Sequence, residues 1–346
     1  MPLISYIFVF FPAALTCVGL VLGGWWTWLQ PAVLFGLVPL SELFFKGTTA
    51  NRPKEGEAGR KNHWISRMIL LGIFPTQLAM VVGLLWQANH LESWALMGAI
   101  VSVGSTLGAM GITGAHEIGH QRGAGAKLTA EGILLLTLYL HFVIEHNRGH
   151  HAKVATPEDP ASAPEGQTVY GFWWQSLKGS LVSAWALERT RLGREDLSPW
   201  TMQNTLLRYL TIEAGLVLVL GIALGMKPTL AFVGASFVGI LLLETVNYMQ
   251  HYGLQRKRLE NGSYERVSPK HSWTSNHTPS RLLLIDLPRH ADHHAAAGRH
   301  FSNLRHLPES PVLPWGYPGM LLMALIPPLF KYVMGAALRA HHETAA

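Results

Sequence analysis

Charge is scarce in this chain. Asp, Glu, Lys and Arg make up only 14% of its 346 residues, against roughly a quarter in soluble domains. That shortage points to lipid rather than to a large aqueous core. Cysteine is scarcer still. Cys17 stands alone, which excludes an internal disulfide, a zinc ribbon or an iron–sulfur centre held by this chain. No Gly-rich dinucleotide fingerprint is present, so any electrons the protein uses must arrive from outside. No basic run is interleaved with aromatics, so the net charge of +6 carries no nucleic-acid signature, and no nucleic-acid partner is expected. The N-terminus lacks the basic region of a cleavable signal, and its apolar run is too long for one; it reads as a retained first span.

What is present is apolar sequence. Ala, Val, Ile, Leu, Met, Phe, Trp, Tyr and Cys supply 49% of the chain, and mean hydropathy is +0.21. Spans are expected at about 3–23, 25–45, 67–88, 93–115, 204–225 and 228–249, each near the roughly 20 residues that cross a bilayer. The linker 46–67 holds Lys46, Arg52, Lys54, Arg60, Lys61 and Arg67, whereas the connections on the other side hold only Lys227. Lys and Arg collect in cytoplasmic loops, so this linker and the N-terminus are expected in the cytoplasm. Residues near 116 and 250 then emerge on that same side. Segment 129–145 is apolar but short, and a crossing there would separate the histidines flanking it. It is expected to be re-entrant or interfacial, as is 317–338, which Pro327-Pro328 interrupts. The polar interval 152–203 is assigned to a cytoplasmic cap.

The 18 histidines are unevenly placed. His116 and His120 begin and end HEIGH, four residues apart and on one helical face. In Glu145-His146-Asn147-Arg148-Gly149-His150-His151, His146 and His150 share a face, while His151 points about 100° away and could reach a second metal. His251 closes the sixth span. His290, His293 and His294 are spaced i, i+3 and i+4. HExxH alone suits a zinc hydrolase with Glu117 as base, but zinc catalysis needs about three protein ligands. Nine histidines in four clusters suit two metals, and imidazole also binds iron, copper and nickel.

The motifs HEIGHQRG, EHNRGHH, NYMQHYG and LPRHADHHA together resemble those of the membrane alkane 1-monooxygenases, which share a superfamily with membrane desaturases and xylene monooxygenase. ATPEDPA, LENGSYE, HSWTSNH and LPWGYPGM extend the resemblance over about 40–335. Pro288 and Ala291 depart from the expected Gln and Ser, at positions that are not ligands. Desaturases usually show a shorter HxxHH second box and lack NYxxHYG. The resemblance implies an all-α integral membrane fold: six transmembrane helices under a cytoplasmic histidine-rich cap, with 1–346 one membrane-embedded catalytic domain. It further implies two iron ions held by His116, His120, His146, His150, His151, His251, His290, His293 and His294. The implied reaction hydroxylates the terminal methyl of an n-alkane, taken from the bilayer, with O2. Electrons would come from rubredoxin, with rubredoxin reductase upstream, at the bacterial inner membrane.

An unactivated methyl offers ordinary side chains nothing to attack, so a metal must supply the oxidising power. Nine neutral imidazoles leave the metal charge uncompensated. Glu117, Glu145 and Asp292 are therefore candidates to accept ligand N–H bonds, and Glu244 and Asn247 share a helical face with His251. His271 and His277 serve either that outer layer or the loop alone. Glu213, inside the fifth span, needs a partner. His63, His90, His300, His306, His341 and His342 read as surface or linker residues. Gly104, Gly108, Gly111 and Gly114 form a small-residue stripe, either for close helix packing or as a groove for an alkyl chain. The basic face, including Arg148, Arg289 and Arg299, either docks an acidic carrier or merely sets topology. Rival readings are an aromatic-methyl hydroxylase, a fatty acyl desaturase and, from another class, a histidine-rich metal transporter, which would carry its ligands near the middle of its spans.

Overall fold

A computed structural model describes residues 1–45, 47–53, 55–61 and 63–345; Lys46 and Lys54 of the basic linker lie outside them, as does the side chain of Lys61. Among the described residues there is no strand, only helices and two isolated bridges. Five helices are long and apolar enough to cross a membrane. They are α1 (Leu3–Leu22), α3 (Trp64–Gln87), α4 (Ser93–Gly119), α8 (Thr205–Leu224) and α9 (Met226–His251).

The second expected span differs from the rest. Residues 24–42 are helical throughout, here called α2, but they pass through 3-10, α, π and α turns in succession. Gln30, Pro31, Pro39 and Glu42 dilute its apolar character, and both Gln30 and Glu42 are fully buried. Gln30 accepts from Ser105 at 2.9 Å, so one face of α2 packs on α4, while Trp25, Trp26, Leu37 and Leu40 stay exposed on the other. The count of spans long and apolar by themselves is therefore five, not six.

Local chemistry sets several boundaries. The Asn204 side chain accepts from the amides of Leu206 and Leu207 and starts α8, a standard use of Asn at a helix N-terminus. Gly225, at φ 86°, ends α8 and opens α9 in one residue, a backbone conformation that glycine adopts without steric cost. α8 buries little of itself, leaving Leu218, Val219 and Ile222 outward; that face is stable only against lipid.

α9 is the centre of the bundle and packs on α3, α4 and α8. Its approach to α4 is close: a Cβ on Gly104 would meet the Ala235 carbonyl at 2.5 Å, and one on Gly108 the Gly239 carbonyl at 2.7 Å. Gly111 and Gly114 face Gln77 and Ile73 of α3 just as tightly. The glycine stripe thus serves helix packing, and Gly108 also lines an apolar cavity.

Segment 129–145 does not form one helix. α5 (Ala124–Leu135) ends in turns through Leu138, at φ 52°, and the chain restarts as α6 over 142–153. α7 (Val169–Gly193) packs on α6, α8 and α9. Next come α10 (Thr278–Leu283) and α11 (His290–Ala295). The stretch 317–338 is likewise two helices, α12 (Tyr317–Ala324) and α13 (Pro327–Ala345). Pro327 and Pro328 begin the second, since a first-turn proline sacrifices no helical hydrogen bond.

Candidate metal centre

Four remote stretches converge at one end of the bundle. α4 makes a π turn over Leu107–Ile112 just before His116, and α6 makes another over His146–His150. A π turn inserts an extra residue into the helix and recurs at functional sites; here both re-aim the imidazoles that follow or lie within them. His251 is the last residue of α9, and α11 carries His290, His293 and His294.

The nine imidazoles fall into two groups, inside each of which the nearest nitrogens all lie within 4.8 Å of one another. His116, His120, His146, His151 and His293 form the first; His150, His251, His290 and His294 form the second. The consecutive His150 and His151 separate, as a 100° step on a helix requires. On α11, His290 and His294 share a face and a group while His293 joins the other. The groups adjoin, with the His151 and His294 ring centres 4.6 Å apart.

Nε2 atoms point at one another: His146 to His151 at 3.0 Å, His151 to His293 at 3.1 Å, His150 to His294 at 3.2 Å, His251 to His290 at 3.2 Å and His290 to His294 at 2.9 Å. The Nε2 atoms of His116 and His120 are buried without any partner. Neutral imidazoles cannot satisfy so many converging nitrogens with protons alone, each having one donor and one acceptor. Nitrogens about 3 Å apart are spaced as neighbouring donors on an ion each holds at roughly 2.1 Å. The residues fit a metal.

Burial and the neighbouring imidazoles hold His146, His290, His293 and His294 well below the usual histidine range. Burial first, then His150 nearby, lowers His151 to about 2 and His120 to about 4. All are neutral at physiological pH, the state in which an imidazole ligates. His150 is the exception: burial opposes its charge, but Asp159 raises it.

Asp159 was not singled out by sequence reasoning, although it lies in the quoted ATPEDPA. Its Oδ2 sits 2.9 Å from His150 Nδ1, and Ala161 N and the Ser162 hydroxyl also reach the carboxylate. The expected outer carboxylates behave differently. Glu117 accepts the Phe301 amide at 3.2 Å. Glu145 is buried against Gly149, and burial raises its carboxyl to about 7. Glu244 accepts from Tyr139 at 2.7 Å, from Asn247 at 3.3 Å and from Ser176. Asp292 pairs with Arg299 and Arg305, both at 3.1 Å, so arginines rather than imidazoles are its partners. His271 bonds Ser268 N and Glu265 at 3.0 and 3.3 Å, and its backbone meets the His251 ring. His277 meets Ser275 at 3.0 Å. Glu213 finds its partner in the Leu140 amide at 2.7 Å.

Two surface assignments are corrected. His300 is buried and accepts from Ser302 N. Arg289 is also buried, and it donates to the carbonyls of Thr48, Ala50 and Leu304; enclosed this way, it cannot dock a carrier. Arg148 is held by Glu188 at 2.6 Å.

A narrow apolar cavity is walled by Leu34, Gly108, Thr113, Val246 and Leu287 among others. Thr113 and Leu287 stand three residues before His116 and His290. A second hollow shares Phe35, Leu242 and Leu321 with it and reaches Leu322 and Leu325, which are exposed on the outer face of the bundle.

Residues 92–322 match the family model described as fatty acid desaturase. Within that class the chain is 40% identical to alkane 1-monooxygenase 2 of Pseudomonas aeruginosa over 92% of its length and 85% of the relative's. It is 41% identical to the alkane 1-monooxygenase of Acinetobacter baylyi, over 90% of this chain and 77% of that one. It is 27% identical to the xylene/toluene monooxygenase hydroxylase component of Pseudomonas putida, over 92% and 85%. The chain belongs to the alkane 1-monooxygenase family, a branch of the desaturase-like membrane enzymes. It is an oxidoreductase and a multi-pass membrane protein with a histidine cluster suited to metal.

Proposed function

We propose that the protein hydroxylates the terminal methyl of n-alkanes to 1-alkanols, using O2, two iron ions and electrons from rubredoxin and its reductase. One ion would be held by His116, His120, His146, His151 and His293, the other by His150, His251, His290 and His294. The observation that carries this reading is the pair of all-imidazole groups beside an apolar cavity whose walls include Thr113 and Leu287, three residues before two of the imidazoles. The relatives' names supply the substrate class.

Bound iron supplies the redox chemistry that breaks a C–H bond with O2, which no side chain here can do. The protein binds, aims and excludes water. Each buried methylene contributes about 0.8 kcal/mol, so the apolar walls hold an alkyl chain without any polar handle. Leu322 and Leu325 mark where a chain could enter from lipid. Thr113, one helical turn before His116, and Leu287, in the turn that leads into His290, bring its end toward the cluster. Asp159 keeps the His150 proton on Nδ1 and so leaves Nε2 free to ligate. The active site and N-terminus face the cytoplasm of a bacterial inner membrane in this reading, with residues 1–346 as one catalytic domain and α2 as a sixth crossing.

The test is purification in detergent, iron counting, and gas chromatography of products from n-alkanes with reduced rubredoxin. We expect two irons per chain and 1-alkanols. His150→Ala and His293→Ala should each lose iron and activity; full iron and turnover in either would overturn the ligand set. On a Cys17→Ala background, Arg122→Cys and Glu158→Cys should label from the same side of the membrane. Labelling from opposite sides would end the reading.

A further inference from the structure

Tyr6 lies on α1, and its phenol reaches 280 residues along the chain to donate to Asp286 Oδ2. The side chain is fully buried. The other Asp286 oxygen accepts from Arg281 Nε at 2.5 Å. Asp286 and the residue before it are unusual. Ile285 has φ 41° and Asp286 has φ 60°, two successive non-glycine residues in the left-handed region, one of them β-branched. Such a turn persists only where its surroundings over-determine it. Asp286 N donates to Arg281 O at 2.8 Å, and Arg289 N to Asp286 O at 2.9 Å. The residue after Arg289 is His290. The direction in which α11 leaves this turn therefore sets where three imidazoles point.

The Tyr6 ring has a second contact. It packs edge-on against Phe301, with centres 5.1 Å apart and planes at 87°. The Phe301 amide donates to Glu117 Oε1 at 3.2 Å, and Glu117 adjoins His116. One side chain at the start of the protein thus touches both the turn that launches α11 and the loop pinned to the first histidine box.

We propose that Tyr6 is a positioning residue for the metal cage: its bond to Asp286 holds the left-handed turn that aims His290, His293 and His294, and its ring ties that turn to the His116 helix. This rests on the reading that the imidazoles hold metal. A filler of the core needs only the ring, which Phe supplies; a positioning residue needs the hydroxyl.

The experiment compares the parent protein with Tyr6→Phe, Asp286→Ala and the double variant, purified in detergent and loaded with Co2+. Metal stoichiometry, the rate of metal loss to a chelator and the cobalt d–d spectrum are measured beside helical circular dichroism. Tyr6→Phe should keep its helicity, lose metal several-fold faster than the parent, and shift the cobalt spectrum. Asp286→Ala should do the same, and the double variant should be no worse than either. Parent-like retention and spectrum in Tyr6→Phe overturns the proposal. So does loss of native helicity in both single variants, because the inference confines the effect to the cage. A parent that binds no metal would instead remove the underlying metal reading; a metal-binding parent with indistinguishable variants removes only this inference.

Discussion

His150 and Asp159 meet through Nδ1 and Oδ2 at 2.9 Å, with both side chains sealed from solvent. The carboxylate fixes the tautomer and the ring angle of an imidazole whose Nε2 faces His294. Asp159→Ala should lower metal affinity at the four-histidine group by about 10- to 100-fold, while Asp159→Asn should lose less. Metal retained after dialysis against graded chelator measures this. Equal retention in the Ala variant would show that the pair is not supporting a ligand.

The apolar cavity makes a prediction about chain length. Val246→Phe places a ring in its wall and should shorten the longest alkane accepted. kcat/KM for that substrate should fall about ten-fold, roughly 1.4 kcal/mol of barrier, with short alkanes little affected. Gas chromatography across an n-alkane series would reveal it, and an unchanged length profile would place the substrate elsewhere.

Glycines on α4 divide by the room around them. Gly104→Ala drives a methyl to 2.5 Å from the Ala235 carbonyl, and overpacking of this kind costs about 1–3 kcal/mol. Gly119, inside HEIGH, would meet nothing nearer than Asn147 Nδ2 at 3.9 Å. Gly119→Ala should be neutral or stabilising by up to about 1 kcal/mol, through helix propensity. Thermal unfolding in detergent should order the two variants on either side of the parent.

Glu188 gives a pH signature on α7. Burial alone would raise its carboxyl, but hydrogen bonds from Arg191, Thr205 N and Arg148 lower it to about 2. A folded-state value depressed below 4.5 contributes stability that is complete above about pH 4.5 and is lost as pH falls toward 2. Glu188→Gln should therefore unfold at lower temperature than the parent at pH 7, with the gap narrowing below pH 4.5. A gap independent of pH would remove charge from the account.

The four histidine boxes and most of the spans were legible because their signals are local. An i, i+4 pair shares a face in any helix, and a run of apolar residues needs no partner to be recognised. The partners behind the ligands were harder to read. Asp292 looked like a partner for imidazole by adjacency and instead holds two arginines, whereas Asp159, eight residues beyond His151, is the carboxylate that reaches a ring. Arg289 looked like surface charge until three backbone carbonyls enclosed it.

Sequence alone determined that this is a helical membrane protein carrying nine histidines in metal-ligand spacing, since hydropathy and helical phase are properties of short segments. Tertiary structure alone decided how those histidines divide into five and four. It also set one face of α2 against α4, brought the glycine stripe into helix contact and brought Tyr6 to Asp286. Each of these joins residues far apart in the chain, and which surfaces meet depends on three-dimensional packing that no local pattern encodes.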